Sequence, residues 1–438
     1  MLSVLAHRTY RHLFLAQVIA LVGTGLATVA LGLLAYEIAG ADAGAVLGTA
    51  LAIKMVAYIG VAPVVGAYAD RLPRKGLLVA MDLLRAGAAL TLPFVDAVWQ
   101  VYLLIFLLQS ASAAFTPTFQ ATIPDILPDE EEYTRALSLS RLAYDLESLL
   151  SPILAAALLT VISFHWLFAG TAIGFAISAL LVVTAALPHR KAAAAIVESV
   201  WRKTTRGARI YLKTPRLLGL LAVTLTAAAG SAMVIVNTVV IVKGMGRSQG
   251  DVALALAAYG GGSMLAALAL PRVLQHIADR TVMLTGALIL TVTLGGLAGL
   301  ALDWPHLLAG WLVMGIGYSL CVTPGGRLLR RSSSEADRPA LFAAQFALSH
   351  VCWLMAYPIA GQAGARFGMT TALVALAGLG AAGLLLALWR WPTNDPAALA
   401  HDHPDLPADH PHLAGHGGGQ HAHPYVIDDL HGHWPGRS

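Results

Sequence analysis

Apolar runs, each about 20 residues or more, recur from about residue 12 to residue 391, and this recurrence constrains the chain more than any other feature. They lie at about 12–36, 44–66, 76–95, 99–122, 139–162, 166–187, 217–242, 251–274, 281–301, 305–326, 340–365 and 369–391. As helices, such runs are long enough to cross a hydrocarbon core of roughly 30 Å. Lipid offers no partner for a backbone N–H or C=O, and a helix satisfies both within one segment. The predicted fold is therefore all-α and polytopic, with twelve transmembrane helices. With 57% hydrophobic and 12% charged residues, the chain lies outside the range of soluble domains. Its 42 glycines suit close helix packing in lipid.

The basic residues orient the chain. Of 28 Lys and Arg, 23 share one side if both termini and the even-to-odd loops lie there. Lys243, Arg247 and Arg366 fall on the other side, and Lys54 and Arg85 lie within spans. This bias predicts that both termini face the cytoplasm, in a bacterial inner membrane. The net charge of +4 follows from that sidedness and needs no nucleic-acid partner. The first run, after MLSVLAHRTYRHLFLAQ, has no cleavage site of small residues and reads as a retained span. Cys321 and Cys352, both within spans, give no disulfide framework.

The widest gap between spans, 188–216, carries eight Lys and Arg and divides the spans six and six. Its alternation of apolar and basic residues fits an amphipathic helix on the cytoplasmic leaflet or a solvated linker with helical stretches. The predicted organisation is a six-helix half (1–187), a basic connecting loop (188–216), a second six-helix half (217–392) and a disordered His-rich tail (393–438).

After the second span comes GAYADRLPRK, with Gly66, Asp70, Arg71, Arg74 and Lys75. Gly66 permits close helix approach, Asp70 can pair or cap at a helix end, and the three cations hold the turn on the basic side. The matching loop of the second half, PRVLQHIADRT, echoes it weakly with Arg272, Asp279 and Arg280, as a duplicated six-span unit requires. The first loop resembles the signature of the major facilitator superfamily, G-x-x-x-D-R-x-x-R-[KR], at all five fixed positions. Pro73 replaces the usual glycine and Tyr68 a common aliphatic residue. Span five, SRLAYDLESLLSP, resembles drug and siderophore exporters of that superfamily in Arg141 and Pro152. The resemblance implies two helical halves rocking about a site near the midplane, and a latch at Gly66, Asp70, Arg71, Arg74 and Lys75.

Ionisable residues inside spans are functional candidates by default. Asp82 and Arg85 are three apart on one helical face and fit a structural pair; Arg141 and Asp145 are four apart and fit another. Glu147 and Lys54 have no local partner. A proton-driven cation exporter needs a carboxylate that binds cation and proton in turn, and Glu147 and Asp145 are the candidates. Lys54 is then either the releasing counter-charge or half of a helix-packing pair. His350, Cys352 and Met355 offer soft ligands in span eleven, although His350 diverges from Cys352 around the helix and needs Asp145, Glu147, Asn237 or Gln345 as a partner.

Nine of the sixteen histidines lie in the tail. They form the pairs His401/His403, His410/His412, His421/His423 and His431/His433, with His416 between. Side chains at i and i+2 of an extended chain share a side, so each pair can bite a metal ion. Imidazole with the tail's aspartates suits Ni²⁺, Zn²⁺, Cu²⁺ and Co²⁺. A major facilitator body with such a tail resembles the bacterial nickel-resistance exporters, which implies Ni²⁺, or Co²⁺ or Zn²⁺, as cargo and tail ligand, with no resident cofactor.

The sequence thus predicts a secondary exporter of a divalent transition-metal cation, nickel first, driven by proton antiport. One alternative is a proton-coupled exporter of an organic compound with a metal-responsive tail; another is a metal-sensing or storage protein without transport. No P-loop, H-E-x-x-H or nucleophile–base pattern points to an enzyme. Oligomeric state leaves no trace in the sequence.

Overall fold

A computed structural model describes residues 2–68, 73–187, 200–300, 302–334, 337–395, 398–402, 421–423, 425–428 and 430–435. Six long helices form the first half: α1 (Arg8–Ala39), α2 (Ala43–Tyr68), α3 (Arg74–Thr91), α4 (Val98–Ile126), α5 (Glu130–Leu158) and α6 (Phe164–Thr184). A shorter helix, α7 (Val200–Lys213), leads into the second half. That half holds α8 (Pro215–Gly244), α9 (Gln249–His276), α10 (Asp279–Ala298), α11 (Trp304–Val322), the seven-residue α12 (Gly325–Arg331), α13 (Arg338–Phe367) and α14 (Met369–Arg390).

The twelve long helices follow the twelve apolar runs. Eleven of them fall within ten stretches long and apolar enough to cross a membrane, because Arg8–Val61 takes in α1 and most of α2. The exception is α5, whose middle turns carry Arg141, Asp145 and Glu147. It also starts well before its apolar run: the Asp129 carboxylate accepts from the Glu132 N–H at 2.9 Å and caps a polar first turn. Ser248 and Asp251 cap α9 reciprocally, each side chain accepting from the other's N–H at 3.1 Å. The turn from α13 to α14 passes through Gly368 at φ 86°, a conformation open to glycine.

Helix partners repeat between the halves. In the first, α1 and α3 pack on α6, while α2 and α3 pack on α4. In the second, α8 and α10 pack on α14, while α9 and α11, and α10 and α11, make the matching pairs. Thr171 donates to the Gly23 carbonyl at 2.7 Å, tying α6 to α1. Thr226 donates to the Gly380 carbonyl at 2.9 Å, tying α8 to α14.

The halves meet along α2 with α13 and α5 with α9. The first seam is antiparallel and made by glycines. A Cβ on Gly361 would lie 2.3 Å from the Gly44 carbonyl, and one on Gly48 would lie 2.6 Å from the Tyr357 carbonyl. Backbones approach this closely only where side chains are missing, as small-xxx-small pairs allow in lipid. Further along, Tyr58 stacks on His350 with ring centroids 5.2 Å apart.

Two segments outside the spans carry structure of their own. The connecting segment contains α7, and α7 packs on protein as well as carrying a basic face. Arg206 forms a two-pronged ion pair with Asp337 at 2.6 and 3.2 Å, and Tyr211 donates to Gln345 on α13. The described residues of the tail are likewise packed, while most of the stretch expected to be disordered lies outside the described residues. Strand β1 (Leu399–His401) pairs antiparallel with β2 (His421–His423), with His401 opposite His421. Tyr425 and Ile427 are buried in the main core, because they and Trp434 give the tail apolar anchors among its polar residues.

Candidate functional site

Lys54 on α2 and Glu147 on α5, which lack local partners in the sequence, lie within electrostatic reach of each other without forming a direct ion pair. The gap for Glu147 is opened by α1: a Cβ on Gly25 would lie 2.7 Å from Glu147 Oε1 and closer still to Ser151. Lys54 lines a small pocket with Thr24, Thr28, Leu51 and Gln109. Gln109 Oε1 is buried there without a hydrogen bond among the described residues. The Lys54 charge also reaches His350, across the seam on α13.

His350 completes this centre from the second half. Its Nδ1 lies 2.6 Å from the Phe346 carbonyl. A carbonyl only accepts, so Nδ1 carries the proton and Nε2 keeps its lone pair. The ring packs between Tyr58 and Phe346, 5.2 and 4.1 Å away. Further along α13 the aromatic lining continues through Trp353 to Tyr357 and Tyr318. One amine, one carboxyl and one imidazole therefore lie within electrostatic reach where the halves join, the imidazole packed between aromatic rings.

The other candidates separate. Asp82 is fully buried, pairs with Arg85 and accepts from Ser178 of α6 at 2.7 Å. The Arg85 guanidinium lies 4.3 Å from the Phe115 ring centroid and 4.5 Å from that of Phe175. This is the structural pair that the spacing predicts, away from Lys54 and Glu147. Asp145 and Arg141 lie outside the residues whose side chains are described. The soft-ligand set in span eleven does not assemble. Cys352 Sγ contacts the Leu221 carbonyl at 3.9 Å, whereas Met355 is 47% exposed. Of the partners proposed for His350, Gln345 accepts from Tyr211 and Asn237 donates to the Ala360 carbonyl.

Of the loop signature, Gly66 lies on α2, and Asp70 and Arg71 lie outside the described residues. Arg74 pairs with Asp125 at the end of α4, and Lys75 donates to the Ala185 carbonyl just past α6, at 3.0 Å. The second half repeats this junction with the ion pair reversed. Asp279 pairs with Arg327 at 3.4 Å, and Arg280 donates to the Trp391 carbonyl just past α14, at 3.3 Å. Asp125 and Arg327 were not singled out in the sequence; their place at the end of the fourth span of each half is the signal that marks them.

Among the described residues, the one group of three side chains placed to share a metal ion is His401, His423 and His431, their ligating atoms all within 4.8 Å of one another. These come from three different His-x-His pairs, so the tail's turn, not the i, i+2 spacing, brings them together. His433 is exposed, and its carbonyl accepts from Tyr425 at 2.6 Å. His403, His410, His412 and His416 lie outside the described residues, as does the side chain of His421. Partial burial works to raise the Asp428 pKa, but hydrogen bonds from His431 and Leu430 and the nearby His431 ring hold it below the usual carboxylate value.

The sequence model of the Major Facilitator Superfamily matches residues 13–248 and 220–415. Macrolide efflux protein A of Streptococcus pyogenes is 27% identical over 152 residues, covering 32% of this chain and 37% of that protein. The uncharacterized MFS-type transporter YfiS of Bacillus subtilis is 28% identical over 120 residues, covering 27% of this chain and 28% of that protein. The matched region thus spans only about a third of these relatives. Among solved structures, a variant of the nucleoside transporter NupG superposes with a TM-score of 0.69 at 14% identity, covering 88% of this chain and 100% of that one. A bacterial homologue of the human lysosomal transporter Spinster gives a TM-score of 0.68 at 12% identity, covering 88% and 98%.

Proposed function

Because the chain belongs to the major facilitator superfamily, and is a membrane transporter and no enzyme, we propose that it exports an amphipathic organic compound in exchange for protons. The observation that carries this reading is the aromatic group of Tyr58, Phe346 and His350 at the seam between the halves, with Lys54 in electrostatic reach of both His350 and Glu147. Rings with few convergent polar groups suit an organic cargo better than a bare cation, which needs several ligand atoms at once. The partial likeness to macrolide efflux proteins supports both the direction and a bulky cargo. Glu147 takes up the coupling proton, Lys54 responds to the lost negative charge, and the halves rock along α2–α13 and α5–α9. The bias of Lys and Arg supports a bacterial inner membrane with both termini cytoplasmic.

A divalent transition-metal cation, nickel first, moved against protons is the second reading. The histidine cluster in the tail favours it, with Glu147 then binding cation and proton in turn.

An exporter-deficient bacterium carrying no protein, the full chain, the Glu147→Gln chain or a 1–392 truncation tests both. Growth inhibition by a panel of lipophilic drugs, macrolides included, is measured beside cell nickel, cobalt, zinc and copper. Organic export predicts several-fold resistance from the full chain, lost in Glu147→Gln, with metal content unchanged. A fall in nickel that Glu147→Gln abolishes would move the assignment to the second reading. Metal retained by the tail alone, with no resistance, would sink both and leave storage.

A further inference from the structure

We propose that His401, His423 and His431 form a single built site for a divalent first-row transition cation, and that filling it fastens the tail onto the start of α8. The ring geometry carries the first part. His401 Nδ1 lies 3.0 Å from the Leu399 carbonyl, and His431 Nδ1 lies 2.9 Å from Asp428 Oδ1. Carbonyl and carboxylate oxygens accept, so both Nδ1 atoms act as donors and both Nε2 atoms turn inward. Those two Nε2 atoms face each other at 3.1 Å. With His423, the ligating atoms of the three rings all lie within 4.8 Å of one another, near enough to share one cation. Two nitrogens held about 2.0–2.1 Å from a tetrahedral zinc ion would stand about 3.3–3.4 Å apart, close to what is found.

The third ring arrives from β2. His423 meets His401 at 4.6 Å between centroids and 82° between planes, and His431 at 5.2 Å and 70°. His401 and His431 themselves cross at 72°. Three mutually steep rings with converging nitrogens resemble the faces of a three-histidine site, its fourth position left for water or a further ligand. Asp428 supplies the outer support: it accepts from both the ring and the backbone N–H of His431, which fixes the ring with Nε2 turned toward His401. The pocket is secluded, with the His431 side chain only 2% exposed.

The same short segment is bound to the membrane body. Arg216, the second residue of α8, donates to the Tyr425 carbonyl at 3.4 Å and lies 4.7 Å from the Trp434 ring centroid. Lys213, at the end of α7, donates to the Gly432 carbonyl at 2.9 Å. Tyr425 in turn packs against His401 and His431. An ion tying β1 and β2 to the His431 loop therefore stiffens the piece that Arg216 and Lys213 hold. This inference is independent of which cargo crosses the membrane.

The test uses the full chain in detergent, titrated with Co²⁺ and followed by ligand-field absorption, with Zn²⁺ as competitor. One tight class of site is expected, lost in His431→Ala and retained in His410→Ala/His412→Ala, although the latter removes more histidines. Asp428→Asn should weaken binding about 10- to 100-fold, as loss of an outer-shell partner does. Zn²⁺ should also slow protease nicking of the tail in the full chain but not in His431→Ala. Loss that merely tracks the number of histidines removed, or no tight class at all, would overturn the site. A filled site with unchanged nicking would overturn the fastening.

Discussion

Asp82 illustrates what a charge inside the helix bundle requires. It has Arg85 one turn away, Ser178 as a second donor, and two aromatic rings against the guanidinium. Removing one partner strands the other, so Asp82→Ala is expected to cost about 3–5 kcal/mol, read as a lower unfolding temperature in detergent. Asp82→Ala/Arg85→Met should recover much of that loss, because no buried charge is then left unpaired. The pair was legible in the sequence because helical spacing alone joins its members. Lys54 and Glu147 were legible only as two unmatched charges. Their proximity depends on how α2 packs near α5, and on Gly25 of α1 leaving room, which no local pattern records. His350 was legible as a polar residue in a span. Its hydrogen bond to the preceding turn and its place against Tyr58 were not.

The helices were readable from apolar length, except where polar residues extend an element. The start of α5 lies under Asp129 and three glutamates, so hydropathy misses it while a capping rule finds it. The basic connecting segment shows the opposite limit. Its amphipathic pattern foretold α7, but the pattern could not say whether lipid or protein would cover the apolar face. Gly207 decides part of this, since a Cβ there would sit 2.1 Å from the Ala340 carbonyl. Gly207→Val should therefore lift α7 from α13, and Arg206→Ala should loosen it to a lesser degree. Faster protease cleavage between residues 200 and 213, with transport reduced several-fold, is the expected outcome in the glycine variant.

For the molecule as a whole, the repeat of helix partners predicts equal responses at matching places. Thr171→Val and Thr226→Val each remove one buried hydroxyl tie to a backbone carbonyl in the other helix. Each should cost about 1 kcal/mol, and the two losses should add, since the sites lie in different halves. Rocking along the α2–α13 seam is tested at Thr49 and Gln362, whose side chains touch at 3.5 Å. Oxidising a Thr49→Cys/Gln362→Cys chain should lower turnover at least about tenfold if alternating access separates them. A reductant should restore it. Twelve spans and two halves could be counted from the sequence, whereas the sign reversal between Arg74–Asp125 and Asp279–Arg327 appears only once the halves are overlaid. The tail bears on the machine in another way. Its described polar anchors include Lys213, Arg216 and Arg331, which all belong to the second half or its lead-in. Under the proposed rocking motion the tail is thus a passenger on one of the two bodies, and an ion bound there would act on that body alone.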